Sequence, residues 1–258
     1  MRGVFETPHD RPPTYGLMIT VYLDESRHTD PNSYMVLAGF LGNKEQWESF
    51  APQWIVGLGN RRCLHMRTLR LNSRAEQRRG RVKKLLGKLG PLPYAHGLRP
   101  IYSAVRTGDY LDIVANSRHE KILPGYAICL AAVISRLGKI VPMQESIKIV
   151  CEINPLYEDA ANTMFRQVTI ALSRPDRPYF SGIEFIPKNS SILTQPSDFL
   201  AFAIAHYHEN RQSYKTLVCT PIFGPSGISA IHGMTLPSKV IRGIVARTKN
   251  HAQRWERR

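Results

Sequence analysis

Acidic residues are scarce in this sequence: 20 Asp and Glu face 35 Lys and Arg among 258 residues, a formal net charge of +15 at pH 7. Long apolar runs are missing too. The longest, Ala127–Ser135 (AICLAAVIS), is under half of the ~20 residues a bilayer-spanning helix needs, so no membrane span is expected. The opening MRGVFETPHDRPPTYG has no apolar core of the signal-peptide kind, and a cytoplasmic protein is the expectation. The four cysteines, Cys63, Cys129, Cys151 and Cys219, form no CxxC pair, which argues against a zinc or redox motif and for four buried free thiols. There is no P-loop, dinucleotide loop or GxSxG elbow, and FGPSG (223–227) is too generic to count.

What is present is unevenly placed. From Arg61 to Lys88 there are eleven Lys or Arg against Glu76 alone, and from Lys239 to Arg258 seven against Glu256, which leaves the rest of the chain near neutrality. Two basic patches on a neutral body form an electrostatic footprint for a polyanion, most simply nucleic acid, DNA or RNA. The plainer alternative is a solubilising face and a frayed tail.

Alternation predicts a strand over 17–24 (LMITVYLD), with Met18, Thr20, Tyr22 and Asp24 on one face. A second strand over 34–41 completes an antiparallel hairpin. Asn43 is placed to cap a helix carrying Trp47, Phe50, Trp54 and Ile55. Ser73 is placed to cap a basic helix to about Leu89, striped by Val82, Leu85, Leu86 and Leu89. Strands are expected at 98–106, 146–153 and 179–187. Helices are expected from about Lys121 to Leu137 with Pro124 in the first turn, after Tyr157, over 197–209, and at the basic C-terminus. This order reads as a single α/β domain with a mixed sheet between helices. Its parts are an arm over 1–16, a body over 17–212, and a loop plus basic helix over 213–258 packed on the same body.

Three of the scarce acids sit where solvation explains them poorly. Asp24 ends an apolar strand, Glu152 nearly ends SIKIVCEI, and Asp198 opens an almost wholly apolar helix. Buried acids are costly unless paired, hydrogen-bonded or holding a cation. Clustered carboxylates repel one another unless a metal compensates. Oxygen-only ligands select hard cations such as Mg²⁺ or Mn²⁺, pairs of which serve phosphodiester cleavage. Each acid also has an ordinary explanation. Asp198 suits a helix N-terminus capped by Thr194 or Ser197, Asp24 and Glu25 suit a polar turn, and Glu152 suits a wet edge strand. His65, in CLHMRTL, is a candidate proton carrier or phosphate contact beside such a cluster. His206 and His208 face different ways on one helix and make no zinc pair.

YLDES at 22–26, LHM at 64–66 and QPSDFLAF at 195–202 resemble the motifs of a widespread bacterial and phage family, domain of unknown function 3800. The resemblance spans about residues 17–210 in the family's order. It implies a ribonuclease H-like fold whose acids hold divalent metals, with Asp24 and Asp198 at the acidic motif positions. Glu25 and Ser26 complete the first motif, His65 matches the histidine motif, and Ser191 with Gln195 match the last. Two departures stand out: Ser197 replaces a small alanine, and the central strand offers Glu152 where an aspartate is expected, with Glu158 or Glu184 as substitutes.

The leading expectation is therefore a Mg²⁺- or Mn²⁺-dependent nuclease. Asp24, Glu152 and Asp198 hold the metal, Glu25 assists and His65 positions a proton or phosphate. Arg74, Arg78, Arg81 and Lys84 neutralise backbone phosphates, with Ser191 and Gln195 also on the substrate side. The runner-up is a non-catalytic nucleic-acid-binding protein of the same fold, an accessory of a mobile element or a defence system. A small-molecule phosphohydrolase, with a closed pocket in place of a basic groove, is third. Oligomeric state stays open, the terminal helix being the surface a homodimer partner would use.

Overall fold

The computed structural model describes residues 16–26, 30–69, 76–115, 124–152, 155–174, 176–188, 190–210, 214–223, 228 and 231–255. Strands β1 (Met18–Ser26) and β2 (Tyr34–Gly42) form the expected antiparallel hairpin, with Asp24 opposite Ala38 and Leu23 opposite Gly39. β3 (Arg99–Arg106) lies antiparallel to β2. β4 (Ser146–Glu152) pairs in parallel with the other edge of β1, and β5 (Tyr179–Ile186) in parallel with β4. A four-residue strand, β6 (His232–Thr235), pairs in parallel with β3. The order is β5-β4-β1-β2-β3-β6, so β1 and β2 are central and only β2 runs against the rest. Burial on both faces explains why β2 and β4 read as near-continuous apolar runs.

Helices cover both faces. On one lie α1 (Lys44–Leu58), α2 (Glu76–Leu89), α7 (Gln195–His208) and the short α3 (Leu92–Ala95) and α8 (Thr220–Phe223). On the other lie α5 (Gly125–Ile140), α6 (Glu158–Leu172), the short α4 (Thr107–Tyr110) and the C-terminal α9 (Ser238–Trp255). Asn43 caps α1 in a reciprocal box: Gln46 N donates to Asn43 Oδ1 and Asn43 N donates to Gln46 Oε1, both at 2.9 Å. Phe50 and Trp54 are fully buried beneath this helix. Each face thus carries its own apolar core, one under α5 and α6 and one under α1, α2 and α7.

Three features differ from the sequence reading. β6 is too short and glycine-bearing (HGMT) to show an alternating pattern. α5 begins at Gly125, because Pro124 is extended (φ −60°, ψ 149°) and stands in the cap position, not in the first turn. Its expected start at Lys121 and the Ser73 cap of α2 lie outside the described residues. Cys63 is exposed while Cys129, Cys151 and Cys219 are buried, so three thiols are core residues instead of four. No helix among the described residues is long and apolar enough to cross a membrane.

Candidate active site

Asp24 is the last buried position of β1 on the face that α7 covers. Its neighbours Leu23 and Glu25 project to the other face, where Glu25 lines a small recess with Tyr126, Tyr157 and Met35. Strand alternation therefore separates the two acids of the DES motif. Asp24 Oδ1 accepts a hydrogen bond from the backbone N–H of Glu25 at 2.8 Å. Even so, its carboxyl is held well above the usual aspartate range. Burial is the main cause, and the charges of Asp198, Glu25 and Glu152 add to it in that order.

Asp198 reaches this point from the first turn of α7. Pro196 suits the helix start, since its missing N–H is one the helix would leave unpaired. Two small residues let the helix lie close on the hairpin. Ser197 Oγ donates to the backbone carbonyl of Tyr22 at 2.8 Å. Opposite it, Gly39 has no room for a side chain, because a Cβ there would come within 1.8 Å of Tyr22 O and 2.9 Å of Ser197 Oγ. Asp198 Oδ2 then accepts from Met66 N at 2.7 Å and sits 3.1 Å from His65 Nδ1. An ionised carboxylate only accepts, so beside it Nδ1 carries the proton and Nε2 is the nitrogen left for a ligand or solvent.

Glu152 is 8% exposed on β4, an interior strand, which rules out the wet-edge explanation. Its Oε1 accepts from Thr194 Oγ1 at 2.9 Å. Thr194 occupies the cap position of α7, yet its hydroxyl makes no cap bond and goes to Glu152 and the carbonyl of Ser191. Ser197 likewise serves β1, so neither residue caps α7 as expected. Of the substitute ligands, Glu184 forms a 2.6 Å ion pair with Lys148 and is half exposed, while Glu158 stands in the first turn of α6. Glu152 is the acid of the central strands that is buried beside Asp24.

Gln195 and Ser191 have structural partners. Gln195 is 4% exposed, and its Oε1 accepts from Trp54 Nε1 at 3.0 Å and from Leu64 N at 2.9 Å. It ties α7 to α1 and to the segment that carries His65. Ser191 Oγ accepts from Leu193 N within its own turn. Arg81 and Lys84 are exposed on α2, on the same side of the sheet as Asp24, while Arg74 and the side chain of Arg78 lie outside the described residues. Sequence reasoning missed the bond from Thr194 to Glu152. The one signal for it is a hydroxyl residue four positions before Asp198.

The donor set fits a hard cation chemically: oxygen donors from separate elements, gathered where their like charges oppose ionisation. Among the described residues, however, no three His, Cys, Asp or Glu side chains stand close enough to enclose an ion together. The two observations are compatible, since charge repulsion acts over longer distances than the 2.0–2.6 Å or so of a metal–oxygen bond. One oxygen each of Asp24, Asp198 and Glu152 is turned to a protein donor.

No family model matches the sequence, and no curated protein matches it. Among solved structures, the chain is similar to Bst-RNase HIII in complex with Mn²⁺, at 15% identity and a TM-score of 0.44, over 84% of this chain and 63% of that one. It therefore spans less than two thirds of that protein's length. It is also similar to the RNase HII of Archaeoglobus fulgidus, solved in complex with PCNA, at 15% identity and a TM-score of 0.39, over 89% of this chain and 90% of that one. This chain's own architecture is a mixed sheet that opens with an antiparallel hairpin and is flanked by helices.

Proposed function

We propose that this chain is a divalent-metal-dependent nuclease that hydrolyses phosphodiester bonds of DNA or RNA. We also propose that it belongs with the domain of unknown function 3800 proteins whose motifs it resembles. One observation carries the reading: Asp24 is buried, and the charges of Asp198, Glu25 and Glu152 add to burial in opposing its ionisation unless a cation offsets them. Asp24, Asp198 and Glu152 are the residues that would hold Mg²⁺ or Mn²⁺. Such an ion supplies positive charge against the carboxylates and Lewis acidity toward a phosphodiester oxygen. His65, oriented by Asp198, presents Nε2 as a proton carrier or phosphate contact. The exposed Arg81 and Lys84 of α2 would meet the substrate backbone.

The non-catalytic nucleic-acid-binding reading is kept because one observation favours it: no preformed three-residue cage exists among the described residues. Assays on DNA and RNA with Mg²⁺, Mn²⁺ and EDTA separate the two. The nuclease reading predicts metal-dependent, EDTA-sensitive cleavage, reduced roughly 10²–10³-fold or more by Asp24→Ala or Asp198→Ala, by analogy with removing one group that stabilises transition-state charge. Equal inertness of wild type and both variants on every substrate, with metal-independent binding retained, would leave the binding reading standing.

A further inference from the structure

Away from the acids, two arginines and a histidine share one face of the sheet region beneath the late turns of α5. Arg99 opens β3, and along that strand it shares a face with Ile101 and Val105, which pack against α5. His232 opens β6 and lies directly opposite Ile101 in the parallel ladder, so it projects to the same face. Arg136 comes from α5, which packs over β3 and β6. Its Nε is buried and has no hydrogen-bond partner among the described residues.

Gathering these groups is unfavourable without a counter-charge. Both arginines stay protonated at any ordinary pH. His232 is held below its usual range, first by burial and then by the charges of Arg136 and Arg99. Among the described residues, no carboxylate pairs with any of the three. A guanidinium's paired N–H donors match two oxygens of a phosphate, and Arg99 presents its own at the exposed start of β3.

We infer that Arg99, Arg136 and His232 form a second, phosphate-binding site, taking one phosphate group either free or within a nucleic-acid backbone. It is separate from the carboxylate cluster. His232 lies level with Leu23 but three strand spacings across the sheet, about 14 Å, and it faces the opposite way from Asp24. The inference does not depend on nuclease activity, and a catalytically inert protein would still have this site.

The test uses the full chain and follows the ring-proton NMR signal of His232, assigned with His232→Gln. Inorganic phosphate is titrated at constant ionic strength against chloride, and in a second arm a short oligonucleotide without terminal phosphates is used. A saturable shift of His232 toward its protonated position is expected with phosphate if the ligand is a free phosphate, and with the oligonucleotide if it is a backbone phosphate. Arg99→Gln, an exposed substitution, should weaken that binding about tenfold or more, as should Arg136→Gln. Thermal midpoints of both variants confirm that they are folded. No shift with either ligand, or affinities unchanged in a folded Arg99→Gln variant, would overturn the site. Asp24→Ala should leave the His232 titration as it is.

Discussion

Two nearly all-apolar helices cover the central strands, α5 on one face and α7 on the other, and they use their first turns differently. In α5 the first turn is buried filling: Gly125 lies against Met35 and Tyr110, and Tyr126 stacks on Tyr157 with ring centroids 5.7 Å apart. In α7 the residues at the start bond to other elements. Thr194 bonds to β4, Gln195 to α1 and the segment before His65, Ser197 to β1, and Asp198 to His65 and Met66. The start of α5 is packed filling. The other helix packs along its length and organises a site at its tip. Placing polar residues at a helix start costs little there, because its first N–H groups lack intrahelical partners and the dipole favours an acid.

Substitutions can break or sharpen that contrast. The largest stability effect is expected for Gln195→Ala, which strands the buried Trp54 Nε1–H and Leu64 N–H. About 2–4 kcal/mol of stability should be lost in denaturant melts, whereas Tyr126→Phe in α5 should cost about 1 kcal/mol. Equal losses would mean that the α7 tip is ordinary core. His65→Gln should lower nuclease activity by about 10–100-fold while leaving the melting midpoint nearly unchanged, as expected for a group that supports a ligand.

Asp24→Asn should act in the opposite direction on stability. Its raised carboxyl pKa means that the native state binds this proton more tightly than the unfolded chain does. Its contribution therefore favours folding increasingly as pH falls from neutrality through the raised pKa, and levels off below the unfolded value of about 4. Without metal, the Asn variant should melt higher than wild type at pH 7–8, and the difference should vanish on approaching pH 4. A variant no more stable than wild type at neutral pH would mean that the carboxylate is not strained by its surroundings. The smallest effect belongs to Arg81→Gln/Lys84→Gln, which should reduce the salt dependence of nucleic-acid binding by roughly two units of log–log slope.

Much of this was legible from periodicity. The hairpin, the Asn43 cap and the face shared by Tyr22 and Asp24 follow from local patterns that tertiary packing did not overrule. The separation of Asp24 from Glu25 follows from strand alternation alone. What stayed hidden depends on pairs far apart in the chain. β6 has no pattern of its own and exists as a strand because β3 offers a free edge. Thr194 carries the sequence signature of a cap, and only the arrival of β4 beside it turns its hydroxyl to Glu152. Gln195 sits in a motif that suggests substrate contact, yet burial beside Trp54 commits it to the framework. The carboxylates' mutual repulsion is likewise a tertiary fact.

The bond from Ser197 to Tyr22 also sets a clock. Its two ends lie 175 residues apart. At about 5–20 residues per second on the ribosome, the strand bearing Asp24 waits roughly 10–35 s for the helix that completes its site. Throughout that interval the emerging chain holds one half of the acid cluster without the other. Asp24 therefore lacks its α7 neighbours until residue 198 has been made, and any chain cut before α7 holds the β1–β2 hairpin without Asp198 or the Ser197 bond that seats it.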